Sequence, residues 1–256
     1  MVKNISKILS IVTVVKNDEK NIKKTIESII SQKNSLTEYI VICGKSNDNT
    51  YNILKRYKNK IDHIVVSKDK GIYDAMNIGV KKSKGMYLGF CNSGDKINKK
   101  SLKPIIKILS KKRYDILFAT VKRHYLGSTI VKSGFNKEKL KYNFDFATSH
   151  STGFYYKRSF HKKIGLYNLK FKCSADYDFY LRLFKLKNLK IISTSKRKIF
   201  GEIASGGFSS KLTYLQHLNE ETNIRMHNNQ SLYLIAFIYL YSIIINPIKV
   251  LKSLIN

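Results

Sequence analysis

Near its start the chain carries Ile8-Leu9-Ser10-Ile11-Val12-Thr13-Val14-Val15, a nearly continuous apolar and β-branched run. Such a run predicts a strand covered on both faces. Asn17 or Asp18 can cap the helix that follows. Its apolar positions, Ile22, Ile26, Ile29 and Ile30, recur at helical spacing. Tyr39–Cys43 reads as a second buried strand, and Ile53, Leu54 and Tyr57 mark a second helix beyond the polar stretch Gly44–Thr50. His63–Val66 is a third strand. Ile72, Ala75, Met76, Gly79 and Val80 trace a third helix. Met86–Cys91 is a fourth strand, and it stops abruptly at Asn92-Ser93-Gly94-Asp95.

This alternation of strand and helix predicts a mostly parallel sheet with helices on both faces, an α/β fold. Right-handed crossovers bring every strand-to-helix loop to one edge, and ligands bind in the crevice at the carboxyl ends of such strands. The polar loops Lys16–Glu19, Gly44–Thr50, Lys68–Asp74 and Asn92–Asp95 are therefore expected to converge. The second half is less regular. Leu102–Leu109 and Phe179–Leu186 read as helices and Asp115–Thr120 as a strand. Leu232–Ile245 is almost wholly apolar and rich in tyrosine, and Lys249 and Lys252 follow after Asn246-Pro247. Fourteen residues fall short of the roughly 20 that a membrane span needs. The pattern divides the chain into a domain over 1–225 and a helical tail over 226–256. That tail either packs as a buried helix or, as the charge favours, meets a membrane surface through residues 232–254.

Charge alters the list of partners. Lys and Arg number 48 against 17 Asp and Glu, a formal net charge of +31 over 256 residues. Nucleic acid, an anionic membrane or anionic substrates such as nucleotide phosphates are each attracted by such a chain. The lysines are spread over the whole sequence, whereas nucleic-acid binders cluster basic residues with interleaved aromatics. No nucleic-acid partner is expected, and the spread also matches a compositional bias toward lysine on any tolerant surface. Cys43, Cys91 and Cys173 are too few and too widely spaced for a disulfide framework or a zinc site. They suit a reducing cytoplasm, at the inner face of the cell membrane where the tail reaches it. Ile8–Val15 has no small-residue cleavage site after it, so no secretion signal is expected.

Candidate chemistry sits mostly in the converging loops. Asp95 lies at a strand end behind Gly94, which allows close backbone approach. A hard cation needs only one or two carboxylates when phosphate oxygens complete its shell. Asp74 and Asn77 stand early in the third helix, near the ligand edge, where they can reach a ribose or a base. Ser174-Ala175-Asp176-Tyr177-Asp178 places two carboxylates two residues apart, on different faces of any helix. Asp176 is the candidate base for an acceptor hydroxyl. Asp178 and His150 are candidates for acceptor contact. Ser205-Gly206-Gly207-Phe208-Ser209 is a candidate loop over the donor. No Rossmann fingerprint or Walker loop occurs.

These residues resemble family 2 glycosyltransferases of the GT-A fold. Ser10–Asn17 is similar to their first strand, Asn21–Gln32 to the helix after it, and Gly44–Thr50 to their D-G-x-S-x-D-x-T loop. Asp69-Lys70-Gly71-Ile72-Tyr73-Asp74-Ala75-Met76-Asn77 resembles a segment of the colanic-acid-type enzymes that build bacterial surface polysaccharides. Asn92–Asp95 resembles their variant of the DxD motif, and Ala175–Asp178 their A-D-Y-D. The likeness runs over about residues 8 to 210. Two positions differ from the pattern: Cys43 stands where an Asp is usual, and Lys16 where an aromatic is frequent.

The resemblance implies a three-layer α/β/α sandwich around a mostly parallel sheet. It implies an inverting, metal-dependent transfer from a nucleoside-diphosphate sugar, with UDP the expected nucleotide, to a glycan or lipid-linked acceptor. Thr13, Val15, Cys43, Asp48, Asp69, Asp74, Asn92 and Ser93 would line the nucleotide site. Asp95 would hold Mn²⁺ or Mg²⁺, Asp176 would be the base, and His150 and Asp178 would meet the acceptor. Two other readings stay open at this point. Cys43 and Lys16 point to a sugar-nucleotide-binding protein with weak catalysis, and the charge alone points to a nucleic-acid binder.

Overall fold

β1 (Leu9–Val15) and β2 (Thr37–Gly44) are buried along their whole lengths. They lie side by side in parallel, Val15 opposite Cys43. The computed structural model describes residues 7–142, 146–149, 151–207 and 212–255. Between and after these strands come α1 (Ile22–Ile30), α2 (Thr50–Arg56), β3 (His63–Ser67), α3 (Ile72–Lys82), β4 (Tyr87–Phe90), β5 (Lys96–Ile97) and α4 (Leu102–Ser110). The less regular half supplies β6 (Ile116–Phe118), β7 (Val121–Tyr125), β8 (Ser128–Lys132), α5 (Lys137–Leu140), β9 (Phe154–Lys157), α6 (Phe160–Ile164) and α7 (Ala175–Leu183). β10 (Ile191–Ser193), β11 (Gly201–Ile203), α8 (Tyr214–His227), α9 (Leu232–Ile245) and α10 (Pro247–Ile255) complete the order.

Among the described residues the strands form a seven-stranded sheet, β10-β6-β9-β4-β1-β2-β3, and a four-stranded sheet, β5-β11-β7-β8. β1 pairs in parallel with β2 and β4, β2 with β3, and β6 with β10. Only β9 runs against its neighbours β4 and β6 in the large sheet. The mostly parallel α/β expectation holds.

Side chains along β1 alternate between two cores, as the pleat requires. Leu9, Ile11 and Val15 pack with Ile22, Ile26 and Ile29 of α1, Leu54 of α2 and the apolar face of α4. Val12 and Val14 pack on the other side with Met76 and Val80 of α3 and with the aromatic residues of α7. The three α/β/α layers follow directly from that alternation. β4 ends against β1 at Phe90, so the turn beyond it opens at the carboxyl edge of the sheet beside the turns after β1, β2 and β3.

The expected helix over Phe179–Leu186 begins earlier. α7 starts at Ala175, which moves both Asp176 and Asp178 into its first turn. Carboxylates there complement the positive end of the helix dipole. Tertiary bonds stabilise this early start: Glu220 of α8 accepts from the backbone N–H groups of Lys172, Cys173 and Ser174 at 3.0, 2.8 and 2.7 Å. α8 itself opens with a capping box between Thr213 and Gln216. It runs without a break through residues 225 and 226, so the apolar segment starts with α9. Pro247 then begins α10, a position where its missing N–H costs nothing.

Candidate active site

The four polar loops meet at the carboxyl edge of the large sheet and are bonded to one another. Asn17, which has a left-handed φ of 51°, donates its N–H to the Ser46 hydroxyl at 3.0 Å. Its side-chain oxygen accepts from the Asn47 N–H at 2.8 Å. The Glu19 N–H donates to Asp48 at 3.0 Å, and the Ser93 hydroxyl donates to Asp18 at 2.6 Å. Asp69 lies against Gly44, where a Cβ would come within 2.9 Å of its carboxylate and 3.2 Å of Lys16. Glycine at 44 is what lets the loops after β1, β2 and β3 touch.

Asp95 sits at the inner end of this crevice. Its N–H closes the turn onto the Asn92 carbonyl at 3.0 Å, and Gly94 holds a φ of 95° that a side chain would strain. The carboxylate is 6% exposed. One oxygen accepts from the Thr152 hydroxyl at 2.8 Å and the other from the Ala204 N–H at 3.0 Å. Burial pushes its pKa up to about 6, and those two bonds, with Arg123 and Lys24 further off, restrain the rise. Burial of the charged form is thus only partly compensated within the protein.

Two observations bear on a cation here. The Asn92 side-chain oxygen is buried and has no hydrogen-bond partner, so a second hard oxygen is unspent in the same turn. Against that, no group of three or more His, Cys, Asp or Glu arranged to hold a metal occurs among the described residues. The residues therefore fit a hard divalent cation only as part of a shell that substrate phosphates complete.

Asp176 stands in the first turn of α7, half-buried, beside Tyr73. Tyr73, from the Asp69–Asn77 segment, donates its hydroxyl to the Cys173 carbonyl at 2.8 Å. Its phenol is raised well above the ordinary range, by burial first and then by the Asp176 carboxylate beside it. One side chain thus ties α3 to the turn that leads into Asp176.

Several expected site residues turn out to be spent on the fold. Asp178 is 0% exposed. Arg182 donates to one of its oxygens at 2.8 Å and Asn228 to the other at 2.8 Å, so the expected acceptor contact is corrected to a buried structural pair. Arg182 is fixed in turn by the carbonyls of Ile164 and Leu166. Asn77 exchanges two 2.9 Å hydrogen bonds with the backbone of Tyr167 and offers nothing to a ribose. Thr13 is fully buried, its hydroxyl donating to the Cys91 carbonyl at 2.7 Å. Val15 and Cys43 likewise point into the core under α1 and α2, and burial raises the Cys43 thiol. Strand alternation turns Thr13 and Val15 inward, whereas the Cys43 thiol, buried at the end of β2, reaches the Ser46 hydroxyl of the following loop at 3.8 Å, with Asp48 and Asp69 close enough to raise it further.

The remaining nucleotide candidates lie in the loops. Asp48 accepts from the N–H groups of Glu19 and Thr50 at 3.0 Å each. Burial would raise its pKa, but those bonds and the Thr50 side chain outweigh it and hold the carboxyl below its usual range. Asp69 accepts from Ser67 at 2.8 Å and from the Gly71 N–H at 3.2 Å, and Asp74 accepts from the Lys70 N–H at 2.9 Å. His150, Phe208 and Ser209 lie outside the described residues; Ala204, just before that loop, is the donor to Asp95. Thr152, Ala204 and Glu220 escaped the sequence reading. No local motif marks them, since each acts through a contact more than 40 residues away.

The loops at the carboxyl ends of the parallel strands are where open α/β sheets bind their ligands. Residues 10–166 match the model of glycosyl transferase family 2. The chain belongs to that family. An uncharacterized glycosyltransferase of Rickettsia prowazekii is 27% identical over 194 residues, 72% of this chain and 61% of that protein. The poly(ribitol-phosphate) β-N-acetylglucosaminyltransferase TarP of Staphylococcus aureus is 27% identical over 134 residues, 50% of this chain and 41% of that one. This chain thus spans about two fifths to three fifths of the length of these relatives. The structure of residues 1–349 of S. aureus TarS in complex with UDP-GlcNAc superposes with a TM-score of 0.68 at 19% identity, covering 92% of this chain and 72% of that one. That likeness shows the GT-A fold.

Proposed function

We propose that this protein transfers a sugar from a UDP donor, with inversion, to a glycan or lipid-linked acceptor of a bacterial surface polysaccharide. The family assignment and the UDP-GlcNAc bound by TarS support the donor class. The Asp69–Asn77 segment supports the colanic-acid-type subgroup. In this reading residues 1–225 hold the catalytic machinery, and residues 232–254 keep it at the inner face of the membrane.

The loops after β1, β2 and β3, with Asp48, Asp69 and Asp74, receive the nucleoside. Asn92, Ser93 and Asp95 face the diphosphate, and Asn92 and Asp95 are the residues that would hold Mn²⁺ or Mg²⁺. Bound there, the cation supplies electrostatic stabilisation of the departing nucleoside diphosphate. Asp176 takes the proton of the acceptor hydroxyl as its oxygen attacks the anomeric carbon. The bond from that carbon to the diphosphate oxygen breaks on the opposite face, and UDP leaves.

The observation that carries this reading is the burial of Asp95 in the crevice where the four strand-end loops meet. Its test is a screen of sugar nucleotides for donor hydrolysis with Mn²⁺. Turnover of at least one UDP-sugar, lost in Asp95→Ala and in Asp176→Asn, supports it. Full turnover in both variants contradicts it.

A further inference from the structure

We propose that α9 and α10 form a docking surface for an anionic lipid bilayer, lying in its interface instead of crossing it. This deepens the membrane contact in the functional reading and rests on that reading only for what the contact serves.

α9 contains no charged residue in its 14 positions. It turns Ile235, Ile238 and Ser242 inward, and it is tied to α8 by the Tyr214 hydroxyl on the Ser242 carbonyl at 3.0 Å. The opposite side has no cover among the described residues. Tyr233, Phe237, Leu240 and Ile244 repeat at i, i+4, i+7 and i+11 and are 91, 60, 60 and 73% exposed. Eleven of the twenty exposed large apolar side chains among the described residues lie between Leu232 and Ile255. Soluble monomers rarely expose apolar surface in one contiguous patch of this kind.

α10 continues the surface in another direction. It leaves α9 at 87°, and Ile248, Leu251 and Ile255 form its exposed apolar row. Lys249 and Lys252 stand roughly 100° round the helix from Ile248 and Leu251. Among the described residues no single helix is long and apolar enough to cross a membrane. α9 is about 21 Å long, against a hydrocarbon core of about 30 Å. The geometry is that of a helix pair seated at the level of the headgroups with its apolar rows toward the acyl chains; Lys249, whose ammonium lies 5.5 Å over the Tyr214 ring of α8, and Lys252 flank those rows beside the phosphates.

Charge decides between a bilayer and a second copy of the chain. No Asp or Glu follows Glu221, and the whole protein carries +31. A second copy brings the same positive charge to the face, whereas anionic lipid brings the opposite one. Tyr233, Tyr239 and Tyr241 on α9 are of the amphipathic aromatic type enriched where lipid meets water. Docked this way, the transferase domain stands on the surface where a lipid-linked acceptor is presented.

The test is co-sedimentation of the full chain with vesicles of phosphatidylglycerol and phosphatidylcholine, against phosphatidylcholine alone. The full chain should pellet with the anionic vesicles and release at high salt. Phe237→Asp with Ile244→Asp should abolish pelleting while UDP-sugar hydrolysis in free solution stays at the wild-type rate. Lys249→Gln with Lys252→Gln should weaken binding to anionic vesicles about 25-fold, at about fivefold per lysine, and leave phosphatidylcholine binding unchanged. Absence of pelleting with anionic vesicles overturns the proposal, as does undiminished pelleting of the Phe237/Ile244 variant. So does a dimer in light scattering that the same variant converts to monomer, which assigns the face to a second copy. A wild-type chain that hydrolyses a donor but does not bind anionic vesicles strikes this proposal alone; a wild-type chain that binds vesicles but hydrolyses no donor strikes the transferase reading.

Discussion

The Thr152 hydroxyl donates to the Asp95 carboxylate at 2.8 Å, joining the turn after β4 to the turn before β9 across 57 residues. Together with the Ala204 N–H it fixes the orientation of a carboxylate that burial would otherwise discharge. Thr152→Val keeps the shape and removes the donor. A hydrogen bond to a charged group contributes about 1.5–3 kcal/mol. Donor turnover in the variant should fall at least tenfold and the melting temperature by several degrees, at about 2–4 °C per kcal/mol, as steady-state kinetics and a thermal melt will show. Wild-type turnover would remove Thr152 from the site.

Glu220 holds three successive backbone N–H groups ahead of Asp176. Glu220→Ala leaves them without that partner and frees the start of α7. The expected result is a stability loss of about 2–3 kcal/mol and a drop in kcat that exceeds any rise in donor KM. Glu220→Gln, which still accepts hydrogen bonds, should recover part of both. Equal kcat in all three proteins would separate α8 from the chemistry.

Asp178 gives the opposite expectation. Its carboxylate is enclosed by Arg182 and Asn228. Removing one partner of a buried pair costs about 3–5 kcal/mol. Asp178→Ala should therefore lower the melting temperature sharply, while the protein that remains folded keeps its affinity for UDP. A stable variant that has lost acceptor use would restore Asp178 to the site.

His161 supplies a pH dependence. Burial lowers its pKa from the ordinary 6.5 to about 4, with Arg182 and Arg158 adding to the effect and the Gly165 carbonyl opposing it. Between those values the unfolded chain binds a proton that the folded chain refuses. Stability from this group is complete above about pH 6.5 and is lost as pH falls toward 4, by on the order of 3 kcal/mol. Denaturant melts at pH 7.5 and pH 5 should show a larger loss for wild type than for His161→Gln. Equal losses would contradict the assignment.

The layers of the fold were legible because β1 and β2 are continuously apolar and α1 and α3 keep a helical period. The loop convergence followed from handedness alone. The side chains were harder to read. Thr13 and Val15 sit in or at the end of a strand near the crevice, but the pleat turns them into the core. Asp178 and Asp176 look alike in sequence, yet the start of α7 places one against Arg182 and leaves the other half-buried beside Tyr73. That start depends on Glu220, some 45 residues later, and no local pattern reveals it.

The most direct measurement of the central claim is calorimetric titration of UDP into the protein with and without Mn²⁺, for wild type and Asp95→Asn. Asp95 and the diphosphate are expected to share the cation, so wild-type affinity should rise at least tenfold with Mn²⁺. In Asp95→Asn that gain should vanish. Equal affinity in all four titrations, or an undiminished Mn²⁺ effect in the variant, would contradict the account.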